Sequence, residues 1–287
     1  MINAGRRHFW TVLAATALTA SVLTGAGGAA SADTSTDTPT AGSACGAGRD
    51  RAVLLVHDLA ANADQWRDLA NDLDARALCG YRFTYGVTDP RLPVAGLAAL
   101  EGSANELAAA VDALAAEGVD DVDVVAVGAG ALVAQRYLQD HPGAHRVRSL
   151  TAAGAMWDGT NVAELGAAED LSRRLGTYDA ILAVERPLID PLCGGCRQLV
   201  RGSDFLTELR RAPVPTPGVT YTNILSASDG LVVPFTSGAW SGMTTIVIQD
   251  IDPSNRSNHF QLTTDPLARA LTVAALLRAR GVGEAGS

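Results

Sequence analysis

From residue 51 onward the chain alternates short apolar runs with stretches of helical periodicity. Residues 52–57 read AVLLVH, a continuous apolar run suited to a strand covered on both faces, and 64–78 carry Trp66, Leu69, Leu73 and Leu78 at helical spacing. Further strand candidates lie at 81–85, 122–127 (VDVVAV), 147–152, 219–226 and 244–248. Between them, Ser103 with Glu106 has the spacing of a capping box for a helix ending at Gly118. A second helix follows the Gly128-Ala129-Gly130 turn from about Ala131 to Asp140, and Asp265-Pro266 opens a last one that stops at Gly281. Strands and helices in this order predict an α/β fold: a mostly parallel, doubly wound sheet with helices on both faces.

Two regions break the alternation. Residues 158–213 hold short helical patterns, several prolines and two cysteines, and are expected to form a cap or lid over the sheet. At the other end, Arg6, Arg7 and His8 precede an apolar run from Phe9 to Leu23 and small residues ending in Ala30-Ser31-Ala32, which has the parts of a secretory signal cleaved after Ala32. The expected organisation is therefore a signal over 1–32, a flexible Thr/Ser/Gly/Asp-rich leader over 33–50, and one domain over 51–287.

Charge and cysteine content narrow the class. The 287 residues carry a formal charge of −9, and losing Arg6 and Arg7 with the signal makes the exported chain more acidic still, so nucleic acid is not an expected partner. No later apolar run reaches the ~20 residues of a membrane-spanning helix. Export places the four cysteines in an oxidising compartment, where three pairings are possible; Cys45 with Cys79 and Cys193 with Cys196 is the simplest. Cys45 and Cys79 are isolated and no histidine stands at ligand spacing, so neither a metal nor a cofactor is expected.

In an open parallel sheet, ligands bind beyond the carboxyl ends of the strands, which directs attention to four turns. They contain His57-Asp58-Leu59, Gly128-Ala129-Gly130, Asp229 and His259. Strand, tight turn and helix around Gly128 form the context of a nucleophile elbow, and an acid followed by a histidine is the chain order of α/β-hydrolases. Over residues 51–280 the chain resembles secreted actinobacterial lipases and esterases of that fold. The resembling stretches are LLVHDLAANADQWRDLANDL, YGVTDPRLP, VDVVAVGAGALVAQRY, CRQLVRGSDFLTELRR, PGVTYTNILSASDGLVVPFTS and SNHFQL. The resemblance implies His259 as catalytic histidine, Asp229 as its acid, and an oxyanion-hole region at Asp58, Leu59 and Ala129.

The match departs from the family where chemistry should begin. Aligned to Gly-x-Ser-x-Gly, the elbow places Ala126, Gly128 and Gly130 on the three fixed positions, so Gly128 stands where the nucleophilic serine belongs. Family members follow the first strand with His-Gly; here Asp58 replaces that glycine, and its carboxylate is expected to oppose an oxyanion. Asn-His-Gly-Thr of such lipases stands here as Trp157-Asp158-Gly159-Thr160. The expectation is an impaired hydrolase that keeps a pocket for an ester, acyl or other hydrophobic ligand, with a protein partner left open. Against it stands an active carboxylic-ester hydrolase using another nucleophile or water activated by His259.

Overall fold

The computed structural model describes residues 38–46 and 50–282; the expected signal lies outside them. Seven strands form one sheet: β1 (Thr40–Ala41), β2 (Arg51–Val56), β3 (Gly80–Arg82), β4 (Asp121–Val127), β5 (Val147–Ala153), β6 (Thr220–Leu225) and β7 (Thr244–Val247). Their spatial order is β1-β3-β2-β4-β5-β6-β7, parallel throughout except for the antiparallel β1 edge. The α/β architecture expected from the alternation is therefore present.

The apolar runs explain why both sheet faces are covered. In β2, Leu54 and Val56 join β4 residues Val122 and Val124 on one face, packing with Leu107, Val111 and Leu132 from α2 (Leu100–Ala116) and α3 (Ala129–Asp140). Val53 and Leu55 turn the other way, with Val125 and Val127. They meet Leu69 and Leu73 of α1 (Arg67–Asp74) and Val273 and Leu276 of the last helix, α8 (Pro266–Ala279), which the single turn α7 (Ile248–Ile251) precedes. Period-two alternation within a continuous apolar strand thus feeds two separate cores.

Two local expectations differ from the structure. Thr40 and Ala41, within the stretch read as leader, pair with β3, and the Asp74 carboxylate accepts from the Ser43 and Ala44 amides at 3.0 Å. Helix α2 starts a turn before the expected capping box. Its first amide, Leu100 N–H, donates to Gln198 Oε1 at 2.7 Å, while Ser103 Oγ turns back to the Ala99 carbonyl and Glu106 accepts from the Gly86 amide. A tertiary partner supplies what a local cap would have supplied. Within residues 158–213, α4 (Leu165–Arg174) and α6 (Asp204–Leu209) flank α5 (Tyr178–Gln198), which runs on through Pro187 and Pro191 and breaks helical geometry at Cys193. Cys45–Cys79 and Cys193–Cys196 are the two disulfides. None of the described helices is long and apolar enough to cross a membrane.

Candidate functional site

The chain runs from β2 outward to β3 and returns to β4 on the other side of β2, so the order reverses between β2 and β4, the switch point beyond whose carboxyl ends open parallel sheets bind ligands. Val56 pairs with Ala126 in the parallel register. Two residues further along the chain from each stand Asp58 and Gly128, side by side at that switch point.

Gly128 has φ 52° and ψ −120°, the sharp strand-to-helix turn of an elbow, and its amide donates to the Ala153 carbonyl at 3.0 Å. The glycine is required twice over. Its positive φ is unfavourable for a residue with a Cβ, and a Cβ built there would overlap the Asp58 carboxylate. Gly130, the second residue of α3, is demanded by packing: a Cβ there would run into the His57 and Val56 carbonyls, so the helix lies tight against β2.

Asp58 is nearly buried and both oxygens of its carboxylate are engaged. Oδ1 accepts from the Leu59 and Ala129 amides, both at 2.8 Å, and Oδ2 meets His259 Nε2 at 2.9 Å. His259 Nδ1 lies 2.7 Å from Asp229 Oδ2. Asp229 is fixed in turn, with Oδ1 accepting from the Leu231 and Val232 amides at 2.8 and 2.9 Å. The histidine is held by a short 3-10 turn capped reciprocally by Asn258 and Gln261. The five residues singled out around the predicted pocket, Asp58, Leu59, Ala129, Asp229 and His259, therefore meet over Gly128.

Two details correct the expectation. The Asp58 carboxylate does not stand beside the pair of converging amides to oppose an anion; it is the anion they bind. His259 points toward Gly128, but its Nε2 meets the Asp58 carboxylate that occupies the space a side chain at 128 would take.

The electrostatics follow from this arrangement. Burial works against the charged form of His259, but hydrogen bonds to Asp229 and Asp58, with their negative charge, outweigh it and raise its pKa to about 9. At neutral pH it is an imidazolium donating to two carboxylates, with no lone pair to accept a proton. His57 is its opposite: burial depresses its pKa to about 4, so the ring is neutral. Its Nδ1 donates to the Asp58 carbonyl at 2.7 Å, Nε2 accepts from the Tyr85 amide at 3.2 Å, and Tyr85 stacks on the ring at 4.1 Å. This neutral histidine and Gln65, whose Oε1 accepts from the Asp58 amide at 2.9 Å, set the backbone that aims Asp58 inward.

The serines that flank the elbow in sequence do not come to it: Ser103 Oγ binds the Ala99 carbonyl and Ser149 Oγ binds Asp123 at 2.5 Å. The Trp157–Thr160 stretch is engaged in hydrogen bonds and ion pairs of its own. Trp157 donates to Asn223, Asp158 pairs with Arg201 and Arg210, and Thr160 Oγ1 donates to the Leu231 carbonyl. Sequence reasoning misses Gly154. With φ 56°, it leaves room for Asp229 and His259, whose nearest atoms would lie 3.0 and 3.1 Å from an added Cβ.

Sheet order, flanking helices and elbow together define the α/β-hydrolase fold. Solved structures with the same fold include a lipase B from Aspergillus fumigatus, at 20% identity and TM-score 0.60 over 79% of this chain and 52% of that one. The mature lipase BlEst2 of Bacillus licheniformis matches at 14% and 0.57, over 84% and 96% of the two chains. The esterase EaEST of Exiguobacterium antarcticum matches at 14% and 0.55, over 84% and 94%. The chain thus spans about half the length of the fungal lipase and nearly all of the two bacterial enzymes. No protein-family model matches the sequence, and no curated protein does.

Proposed function

We propose that this is an exported lipase- or esterase-like protein whose acyl-transfer centre is silenced and which binds an ester, acyl or other apolar ligand. The observation that carries the reading is the Asp58 carboxylate, bound by the Leu59 and Ala129 amides through one oxygen and by His259 through the other. Acyl transfer needs a nucleophile beside the histidine and a vacant pair of donors for the developing oxyanion. Here Gly128 offers no hydroxyl, the donors are filled, and His259 is protonated.

A hydrolase lacking only its serine keeps ~10³ to 10⁴ over the uncatalysed rate through its oxyanion hole and binding. A filled hole removes that remainder as well, and an imidazolium cannot activate water. Asp58 itself, with both carboxylate oxygens bound by donors, is a poor nucleophile. Export is supported by the signal-like residues 1–32 together with two disulfides, which persist in oxidising compartments.

The test compares wild type with Asp58→Gly/Gly128→Ser, using short-chain nitrophenyl esters and a fluorophosphonate probe read by mass spectrometry. Wild type is expected at background, without adduct. The double variant is expected to take the probe at residue 128 and to hydrolyse ester. An adduct at any serine or at Asp58 of the wild type, with turnover above background, overturns the silenced reading.

A further inference from the structure

The cap contains a cavity of about 350 Å³ between α4 and α5, away from the Asp58 centre. Its walls are largely apolar, formed by Leu165, Ile181, Leu182, Ile189 and Val200. That volume lies within the ~300 to 1,000 Å³ of small-molecule sites. At ~30 Å³ for a water-sized group, it holds on the order of ten chain carbons. The space is half-open to solvent, and Leu165, Ile181 and Ile189 in its walls remain exposed apolar side chains that an apolar chain would cover.

The polar groups at the cavity select the head of its occupant. Glu169 and Glu185 both line it. Glu185 is half-buried and makes no hydrogen bond or ion pair among the described residues. The cations nearby are already committed: Arg197 binds Asp190 through two nitrogens at 2.9 and 3.1 Å, and Arg173 binds Glu169 and Asp204 while covering the Tyr178 ring at 3.5 Å. An anionic head would meet an unpaired carboxylate and no free guanidinium. A cationic head would supply the partner that Glu185 lacks, and desolvation strengthens such a pair.

We infer that the cap cavity binds a single-chain amphiphile with an amine or quaternary ammonium head, the chain lying against Ile181, Leu182 and Ile189 and the head at Glu185. The inference rests on the reading of this protein as a ligand binder and names the site and ligand class. Burial raises the Glu169 pKa, against its bonds to Arg173 and Tyr178, and Arg173 already occupies that carboxylate, so Glu185 is the one that answers the cation.

The test is calorimetric titration of the full-length, disulfide-intact protein with dodecyltrimethylammonium, dodecanol and dodecanoate, each below its micellar concentration. One trimethylammonium ligand is expected per chain, with dodecanoate at least tenfold weaker. Ile181→Trp and Ala168→Phe, each filling the cavity from one helix and checked for folding by circular dichroism, should weaken all three ligands about tenfold or more. Glu185→Gln should abolish the preference for the cation and leave dodecanol unchanged. If dodecanoate binds as well as the cation, or binding survives both filling variants, the inference is wrong although the ligand-binding reading stands. If none of the three ligands binds wild type, the ligand-binding reading fails with it.

Discussion

The Asp58 carboxylate fills the space that a Cβ on residue 128 would need, so Asp58 and Gly128 are a matched pair. The register that sets Val56 opposite Ala126 brings them together, and an aspartate at 58 is accommodated only with glycine at 128.

This matching predicts strong coupling in a double-mutant cycle. Gly128→Ser alone forces a side chain into the carboxylate and onto a φ of 52°, at a cost of ~1 to 3 kcal/mol for overpacking and about as much again for backbone strain. In an Asp58→Gly background the overpacking cost should vanish. Denaturant unfolding should show the two changes departing from additivity by at least about 1 kcal/mol; agreement within ~0.5 kcal/mol, as for distant sites, would mean they do not share the space.

The same cluster predicts a shift in the titration of His259. Asp58→Asn keeps an oxygen for the two amides but removes one of the two carboxylates that hold the imidazolium. The His259 pKa should fall from about 9, read by NMR of its ring protons. An unchanged value would show that Asp229 alone sets it.

How much of this is legible in the sequence follows from how local each feature is. Strands β2 and β4 announce themselves through AVLLVH and VDVVAV, because a strand buried on both faces needs no partner to be recognised. Gly128, Asp229 and His259 can be found because each sits in a turn beyond the carboxyl end of a strand. The engagement of Asp58 is not legible. It depends on a strand register and on a histidine 201 residues away, and composition shows only that a carboxylate is near. The start of α2 escapes a local reading for a similar reason: Gln198, almost a hundred residues downstream, accepts its first amide.

The disulfides should contribute unequally. Cys45–Cys79 closes a separation of 34 residues and ties the β1 edge to the domain, whereas Cys193–Cys196 spans three. The chain-entropy relation gives about 4 kcal/mol for the first and under ~2 kcal/mol for the second. Cys45→Ala/Cys79→Ala should lower the unfolding midpoint more than Cys193→Ala/Cys196→Ala, and four free thiols on denaturing alkylation of the wild type would remove the basis of both.

The two buried histidines pull stability in opposite directions with pH. The His57 pKa, about 4 in the fold, is depressed by burial from an ordinary 6.5, so below about pH 6.5 the unfolded chain takes up a proton that the native state refuses. Stability should fall as pH drops from 6.5 toward 4, by up to about 3 kcal/mol. His259, raised from 6.5 to about 9, stabilises fully below 6.5 and loses that contribution as pH rises through 9. Together they predict a stability maximum near pH 6.5 with a decline on either side. At Asp74 and Asp265 burial is outweighed by hydrogen bonds that hold both below the usual carboxylate range; they add their losses at the acid end, so the acid arm is best read above about pH 5. Guanidinium unfolding across this range should show the acid arm flattened in His57→Gln and the alkaline arm flattened in His259→Gln. A wild-type stability that climbs steadily from about pH 5 to pH 9 would mean that His259 is not held as an imidazolium between Asp58 and Asp229.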